Sequence, residues 1–385
     1  MSETMLPSSS DIEKLDGIRI KLVGIGGAGC NTISRLASQG LNGVITIAAN
    51  TDVQHLEMVR AHHKIVLGKN VTRFKGSGGD PEKGRMATEE CEDEFRNLLD
   101  GADIVFVMAG LGGGTGTGGA PVVASIAKEL GAIVISVATL PFRFEGNVRK
   151  KIAIQGLQKL KEVCNTVVLI DNNKLLDFYP QYELRTAFSL VDDVINNMML
   201  SITESIVKPS LINIDYADFK TLVERGSLAS LGIGRSSSPN RAEEATFNAL
   251  QSPLLDVTYD KLSGAIVHVT GGEDMKLSEA ARPAEIISEL MGMDALVIWG
   301  ARIDNYYAST IQVSLILTGL SDTFSNAAEV EAVSLPTKKS NEEFKISQPA
   351  VPAQPTIDNE LEYELERIVA ELGIRKLSIE NAHVY

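Results

Sequence analysis

Residues 103–130 read DIVFVMAG (103–110), LGGGTGTGG (111–119) and APVVASIAKEL (120–130), and this stretch decides the fold. The first segment is a continuous apolar run, which is typical of a strand buried on both faces of a sheet. The second is rich in glycine, which lets the backbone approach a ligand closely, and the third starts a helix with its positive dipole end. A flexible linker does not stand between a buried strand and a helix of one domain. The stretch therefore predicts a phosphate-binding loop.

Two further glycine segments precede helices. GIGGAG (24–29) matches the G-x-G-x-x-G fingerprint and, with Asp52 downstream, indicates a dinucleotide site when taken alone. The other segment is GSGGDP (76–81). Three such loops at the carboxyl ends of strands can converge on one crevice and suit a triphosphate, whereas a dinucleotide usually needs only the loop at residues 24–29. No lysine follows LGGGTGTGG, so this motif is not a P-loop.

Short β-branched apolar runs alternate with helical segments through the first half of the chain, a pattern typical of βα units. It predicts an α/β fold with a Rossmann-like, doubly wound parallel sheet, followed after residue 224 by a smaller α+β domain. Strands are expected at residues 18–25, 44–50, 64–68, 103–110, 132–138, 166–171, 227–234, 265–272, 295–303 and 309–319. Helices are expected at residues 30–38, 81–99, 119–130, 147–164, 240–251 and 276–290.

Changes in composition divide the chain into six segments. The polar start and the stretch after residue 320 lack periodicity, which predicts a disordered leader and a flexible linker. An apolar stripe from Glu183 to Val207 predicts a long helix that connects two domains. The expected segments are a leader at 1–17, a nucleotide-binding domain at 18–182, the core helix and a following loop at 183–223, the α+β domain at 224–320, the linker at 321–358 and a tail with a short helix at 359–385.

The chain of 385 residues carries 36 Lys and Arg against 50 Asp and Glu, a formal net charge of −14. This acidic balance argues against nucleic acid as a partner and against a protein held on anionic lipid by charge. No apolar run reaches the roughly 20 residues of a membrane span, and no secretory leader is visible. Three scattered cysteines fit free thiols in a reducing compartment. We therefore expect a cytoplasmic protein without direct membrane insertion.

An acidic pair follows the predicted core helix in NIDYAD (213–218). Asp215 and Asp218 are three residues apart and share a face in a helical turn. One interpretation is helix capping, with Asp215 as the N-cap and Asp218 approximating a capping box. The other is that both carboxylates position a water, or a cation, for attack on a phosphate, because the glycine loops supply no general base. The local sequence leaves both interpretations open.

Together these segments resemble the tubulin/FtsZ superfamily, in particular FtsZ of the archaeal type. GGGTGTG (112–118) is similar to the phosphate-binding signature of that family, and the resemblance covers roughly residues 18–320. The other matching segments are GIGGAGCNT (24–32), AANTD (48–52), GSGGDPEKG (76–84), PFRFEGNVR (141–149) and NIDYAD (213–218). The resemblance implies a GTPase domain, a core helix and a C-terminal domain. The chain departs from the family at Ala28 and Cys30, where bacterial members commonly have glycine.

The resemblance also implies a GTP site, residue by residue. The implied contacts of the glycine loops are Gly26, Gly27, Ala28, Asn31, Gly112, Gly113, Gly114, Thr115, Gly116, Thr117 and Gly118. Glu145 and Arg149 match positions near the ribose and the phosphates. The implied base contacts are Phe188, which packs on guanine, Asp192, which pairs with the guanine N1 and N2 donors, and Asn172. Without the resemblance, Phe188 would be assigned to core packing and Glu145 to a solvated charge.

In this family one subunit holds the nucleotide and the next helps to hydrolyse it, and Asp215 and Asp218 match the positions that reach the γ-phosphate. The resemblance implies a filament-forming division GTPase that uses GTP and Mg²⁺, assembles head to tail and concentrates in a mid-cell ring. It assigns no side chain as a metal ligand. The tail is expected to bind a membrane-adaptor protein, since anionic lipid repels its glutamates. The other interpretation is a solvated, partly helical tail without a partner.

Two alternative functions remain. An NAD-dependent oxidoreductase is favoured only by residues 24–29 and Asp52. A non-polymerising GTP-binding regulator would share the fold, but the intact pair of Asp215 and Asp218 argues against it.

Overall fold

The computed structural model describes most of the chain between residues 17 and 319. The described residues are 17–39, 43–178, 181, 195–199, 202, 212, 214–225, 228–252, 255, 262–292 and 295–319. Most of the predicted core helix, the linker, the tail and all of the leader except Gly17 lie outside them. Within the described part, no helix is long and apolar enough to cross a bilayer.

One sheet organises the fold because its strands are apolar along their length and are covered on both faces. Within the described residues its ten strands are β1 (Ile20–Ile25), β2 (Val44–Asn50), β3 (His63–Val66), β4 (Ile104–Gly110), β5 (Ile133–Leu140), β6 (Thr166–Asp171), β7 (Leu228–Ser236), β8 (Gly264–Gly271), β9 (Leu296–Ile303) and β10 (Ile311–Thr318). Their order is β3-β2-β1-β4-β5-β6-β7-β10-β8-β9, and only β10 is antiparallel to its neighbours. The strand order reverses between β1 and β4, which places a crevice at their carboxyl ends.

The helices pack on both faces of this sheet. They are α1 (Gly26–Gln39), α2 (Val53–Met58), α3 (Pro81–Glu89), α4 (Glu92–Leu99), α5 (Thr115–Glu129), α6 (Asn147–Val163), α7 (Asn173–Phe178), α8 (Tyr216–Arg225), α9 (Arg241–Leu250) and α10 (Leu277–Met291). One core contains side chains of α1, α8 and the helical residues 195–199. The core on the other face contains side chains of α4, α5 and α6, and a third lies under α9 and α10.

The predicted strands are all confirmed, with ends within two residues of those observed. The prediction of one helix over residues 81–99 is wrong, because α3 and α4 are separate. Cys91 leaves the helical conformation with φ −112° and ψ 20°, and its thiol donates to Val66 O at 3.8 Å. Three acidic residues, 92–94, then occupy the first turn of α4, where the helix dipole favours negative charge. The short helices α2 and α7 are additions to the prediction, and so is α8, most of which falls in the segment expected as a loop.

Candidate functional site

The glycine-rich segment forms the end of β4, a short loop and the first turn of α5. Because α5 already begins at Thr115, half of the segment predicted as a loop is helical. Gly112 has a φ of +95°, which favours glycine, and donates its N–H to Thr117 Oγ1 at 2.9 Å. The first N–H groups of α5 have no acceptor within the helix, so they are available to a ligand at its N-terminus.

The hydroxyl groups of this segment bond within the protein. Thr115 Oγ1 lies 2.7 Å from Thr51 Oγ1 and 3.0 Å from Ser77 Oγ, and all three side chains are buried. Thr117 Oγ1 is already an acceptor for the backbone. These bonds join α5 to the end of β2 and to the loop at residues 76–80. The segment therefore offers a ligand mainly backbone N–H groups.

The glycines at this site fall into two classes. A Cβ on Gly116 would lie 2.6 Å from Gly110 O, one on Gly114 would lie 2.6 Å from Asp80 O, and one on Gly118 would overlap Pro81 O. These glycines are needed because other backbone passes close to them. By contrast, a Cβ on Gly27 or Gly113 would meet no protein atom within 4 Å. The space beside Gly27 and Gly113 is open to a ligand.

Two adjoining cavities open at the carboxyl ends of β1, β4 and β5. The glycine-loop cavity, of about 440 Å³, is lined by the loops at residues 24–29 and 111–119 together with Glu145 and Arg149. The Asn31 cavity, of about 490 Å³, is lined by Asn31, Arg35 and His55 among others. Both cavities share the lining residues Gly27, Ala28, Gly110, Thr139 and Asn172. We call the two together the cleft; the N-termini of α1 and α5 meet there, and their dipoles favour an anion.

Glu145 and Arg149 form an ion pair on the wall of the glycine-loop cavity. Glu145 Oε1 also accepts the N–H of Phe142 at 2.9 Å, which fixes the turn over Arg143–Glu145. The interpretation of Glu145 as a merely solvated charge is therefore wrong. The Arg149 side chain is 56% exposed, so a cation stands at the edge of the cavity.

Asn31 is held by a hydrogen-bonded chain that the sequence motifs do not reveal. His55 Nε2 lies 2.9 Å from Asn31 Oδ1, and His55 Nδ1 lies 3.1 Å from Asn50 Nδ2. Asp52 caps α2 by accepting the N–H of His55 at 3.2 Å. In this structure Asp52 therefore caps a helix beside the cleft.

The two departures from the bacterial pattern fit the structure. Ala28 lies against Gly110, where a Cβ would approach the Ala28 methyl to 2.6 Å, so Gly110 leaves room for that methyl. The buried Cys30 thiol donates to Ala49 O at 3.4 Å and so joins α1 to β2. Burial raises the pKa of Cys30 to about 12, which keeps the thiol protonated.

The acidic pair lies at the edge of the sheet opposite the cleft. Tyr216, beside Asp215, donates its hydroxyl to Asp103 O at 3.4 Å, and Thr166 Oγ1 donates to Val223 O at 2.7 Å. Asp103 precedes β4 and Thr166 begins β6, so α8 lies along the amino ends of these strands. The cleft lies at their carboxyl ends, and the seven residues of β4 alone span about 20 Å.

Helix capping by Asp215 is confirmed. Its Oδ1 accepts the N–H of Ala217 at 2.7 Å, and Asp218 stands in the first turn of α8. Both acidic residues are exposed. Capping occupies one carboxylate oxygen of Asp215 and leaves the other available. The capping role therefore does not exclude a second, catalytic role. At this distance neither carboxylate can act on a ligand in the cleft of its own chain.

Of the remaining expected ligand contacts, one lies in the described part of the chain and two lie outside it. Asn172 follows β6 and lines both cavities, as expected of a ligand contact. Phe188 and Asp192 lie outside the described residues, so their roles stay predictions. In the described part of the chain, no three His, Cys, Asp or Glu side chains form a group able to hold a metal ion.

Comparison with known proteins gives consistent matches. The model of the GTPase domain of the tubulin/FtsZ family matches residues 19–180, and the model of the FtsZ C-terminal domain matches residues 227–321. Cell division protein FtsZ 1 of Archaeoglobus fulgidus is 46% identical over 301 residues, 78% of this chain and 82% of that protein. FtsZ 2 of Methanocaldococcus jannaschii is 48% identical over 305 residues, 78% of this chain and 80% of that protein.

A solved structure extends the match to three dimensions. The empty FtsZ dimer of M. jannaschii has a TM-score of 0.75 and 45% identity, and the match covers 81% of this chain and 93% of that one. The matched domains are those of a GTPase, so the NAD-dependent oxidoreductase is no longer a candidate. The chain belongs to the tubulin/FtsZ family, within its FtsZ branch, and carries both the GTPase domain and the C-terminal domain of that family.

Proposed function

We propose that this chain binds GTP in the cleft, assembles head to tail, and hydrolyses GTP where two copies meet, in filaments that form a cytoplasmic ring at the division site. One observation carries the proposal: Asp215 and Asp218 are exposed at the edge of the sheet opposite the cleft. If copies stack in one orientation, the amino edge of one sheet meets the carboxyl edge of the next. The acids of one copy then face the nucleotide of its neighbour.

The two cavities of the cleft can hold different parts of one nucleotide. The glycine-loop cavity offers backbone N–H groups, two helix N-termini and Arg149, a set that suits phosphates. The adjoining Asn31 cavity then receives the nucleoside, with Asn31 and Asn172 as polar contacts. Phe188 and Asp192 are proposed for guanine on the resemblance alone. Two carboxylate oxygens accept from both guanine donors, which adenine does not match.

The residues of the cleft fit a Mg²⁺ ion whose ligands are mainly phosphate oxygens and water. Mg²⁺ at nucleotides usually keeps several waters and takes one or two carboxylates besides phosphate oxygens. Glu145 is a carboxylate that lines the glycine-loop cavity. When bound, the ion supplies charge that offsets the phosphates. The N–H groups of the loops orient the phosphates, and Asp215 and Asp218 of the neighbouring copy orient the attacking water.

GTP turnover per chain is expected to depend steeply on protein concentration, because each complete centre needs two chains. Phosphate release and light scattering would be followed together over a dilution series, with GTP binding measured at each concentration. Dilute chains should hold GTP yet release almost no phosphate, and turnover should rise where scattering begins. Equal turnover per chain at all concentrations would contradict the proposal. GTP binding with no scattering at any concentration would favour the non-polymerising regulator.

Deleting residues 359–385 is expected to leave GTP turnover and assembly unchanged and to remove binding of a membrane-adaptor protein. The reason is that this acidic segment lies beyond the match to the FtsZ C-terminal domain, which ends at residue 321. A pull-down from the organism's membrane fraction would compare the full chain, the deletion and a chain with the same tail residues in scrambled order. Retained adaptor binding by the deletion or the scrambled chain would contradict the assignment, as would binding of the tail to anionic vesicles alone.

A further inference from the structure

His55 connects the cleft to the end of β2. Its two ring nitrogens lie 2.9 Å from Asn31 Oδ1 and 3.1 Å from Asn50 Nδ2. Asn50 is buried, with 3% exposure, whereas Asn31 is exposed in the wall of the Asn31 cavity. His55 thus stands between a fixed amide in the core and an amide that can meet a ligand.

Donor and acceptor chemistry fixes the direction of the hydrogen bonds from Asn50 through His55 to Asn31. The Asn50 amide nitrogen donates, so Nδ1 of the neutral His55 ring accepts, and the ring proton resides on Nε2. Nε2 then donates to Asn31 Oδ1. The ring cannot drift far, because His55 stands in the first turn of α2 and its N–H donates to Asp52. With its oxygen engaged, Asn31 has its NH₂ group left for a ligand.

We propose that His55 is a positioning residue that holds the Asn31 amide oxygen and so turns the NH₂ donors of Asn31 toward the nucleoside. This inference rests on the proposed function, since it needs a nucleoside in the Asn31 cavity. Arg35 lines the same cavity and is a donor as well. These two donors suit acceptor atoms of a nucleoside, which are the ribose oxygens and the ring nitrogens and carbonyl oxygen of a purine.

A double-mutant cycle on the full chain tests the inference, with GDP as the probe and titration calorimetry below the assembly concentration. His55→Ala and Asn31→Ala should each weaken GDP binding roughly 3- to 10-fold, the effect of one hydrogen bond. The double variant should bind no more weakly than Asn31→Ala, because His55 acts through Asn31. His55→Gln should bind close to wild type, since its amide nitrogen can take the place of Nε2.

A merely structural role for His55 would weaken binding equally with and without the Asn31 amide, and that result would overturn the inference. If thermal melting shows His55→Ala unfolded, the comparison of His55→Gln with His55→Glu decides, because these side chains match in size and the ionised Glu only accepts. His55→Glu should lose affinity relative to His55→Gln by a larger factor with Asn31 present than in the Asn31→Ala background, because repulsion of the GDP phosphates by the added charge is common to both backgrounds. Equal factors in the two backgrounds would also overturn the inference. Absence of nucleotide binding by the wild-type chain would instead contradict the proposed function.

Discussion

Replacing Asp215 with asparagine is expected to lower GTP turnover by about 10²- to 10⁴-fold, the usual effect of losing a general base. GTP binding should survive because the residue lies at the edge of the sheet opposite the cleft. Asparagine caps helices about as well as aspartate, so α8 should keep its N-terminus and the fold its stability. Filaments should form with GTP and persist. Phosphate release and light scattering after GTP addition measure both effects.

The same helix offers a matched control. Glu224→Gln removes an exposed charge from the other end of α8 and should leave turnover unchanged. Asp215→Ala should lose turnover equally and also about 1 kcal/mol of stability, because it loses the cap. Normal turnover by Asp215→Asn would contradict the catalytic role. Mixing it with a chain whose cleft is defective should restore some turnover, since the two intact halves then meet at a junction.

The sheet was predictable because its physics is local and repetitive. A strand covered on both faces must be apolar throughout. The ends of apolar runs such as residues 44–50 and 166–171 therefore mark the ends of the strands. The α3–α4 break was not predictable in this way. It depends on the backbone of Cys91 and its contact with Val66 of β3, which is distant in sequence. The helical first turn of α5 is not predictable from the sequence for a related reason. Glycine is a poor helix former, and close packing against Pro81 and Gly110 overrides that preference here.

The cleft was only partly predictable. Glycine loops between strands and helices indicate where an anion binds, and Gly27, Gly113 and Asn172 do line the cleft. Sequence spacing does not show that Thr115 turns its hydroxyl to Thr51, or that His55 reaches Asn31 across 24 residues of chain. These bonds need the tertiary fold.

The two classes of glycine in the loop at residues 111–119 predict different effects for one added methyl group. Gly113→Ala should keep the wild-type melting temperature, because its Cβ meets no protein atom within 4 Å, and should lose at least roughly tenfold in GDP affinity. Gly118→Ala should lower the free energy of unfolding by about 1–3 kcal/mol or more, because its Cβ overlaps Pro81 O and lies 2.6 Å from Arg85 N. Both contacts are to backbone, so α3 itself must move.

Thermal melting and GDP calorimetry on both variants separate these outcomes. The comparison is informative because the substitutions are chemically identical and only five residues apart. Normal GDP affinity in Gly113→Ala would mean that the open space beside the loop holds no part of the nucleotide, and the phosphate site would have to lie elsewhere. Unchanged stability in Gly118→Ala would mean that α3 and α5 are not packed as closely as described. Since α3 follows directly from the third glycine loop, its displacement should also disturb Ser77 and its bond to Thr115.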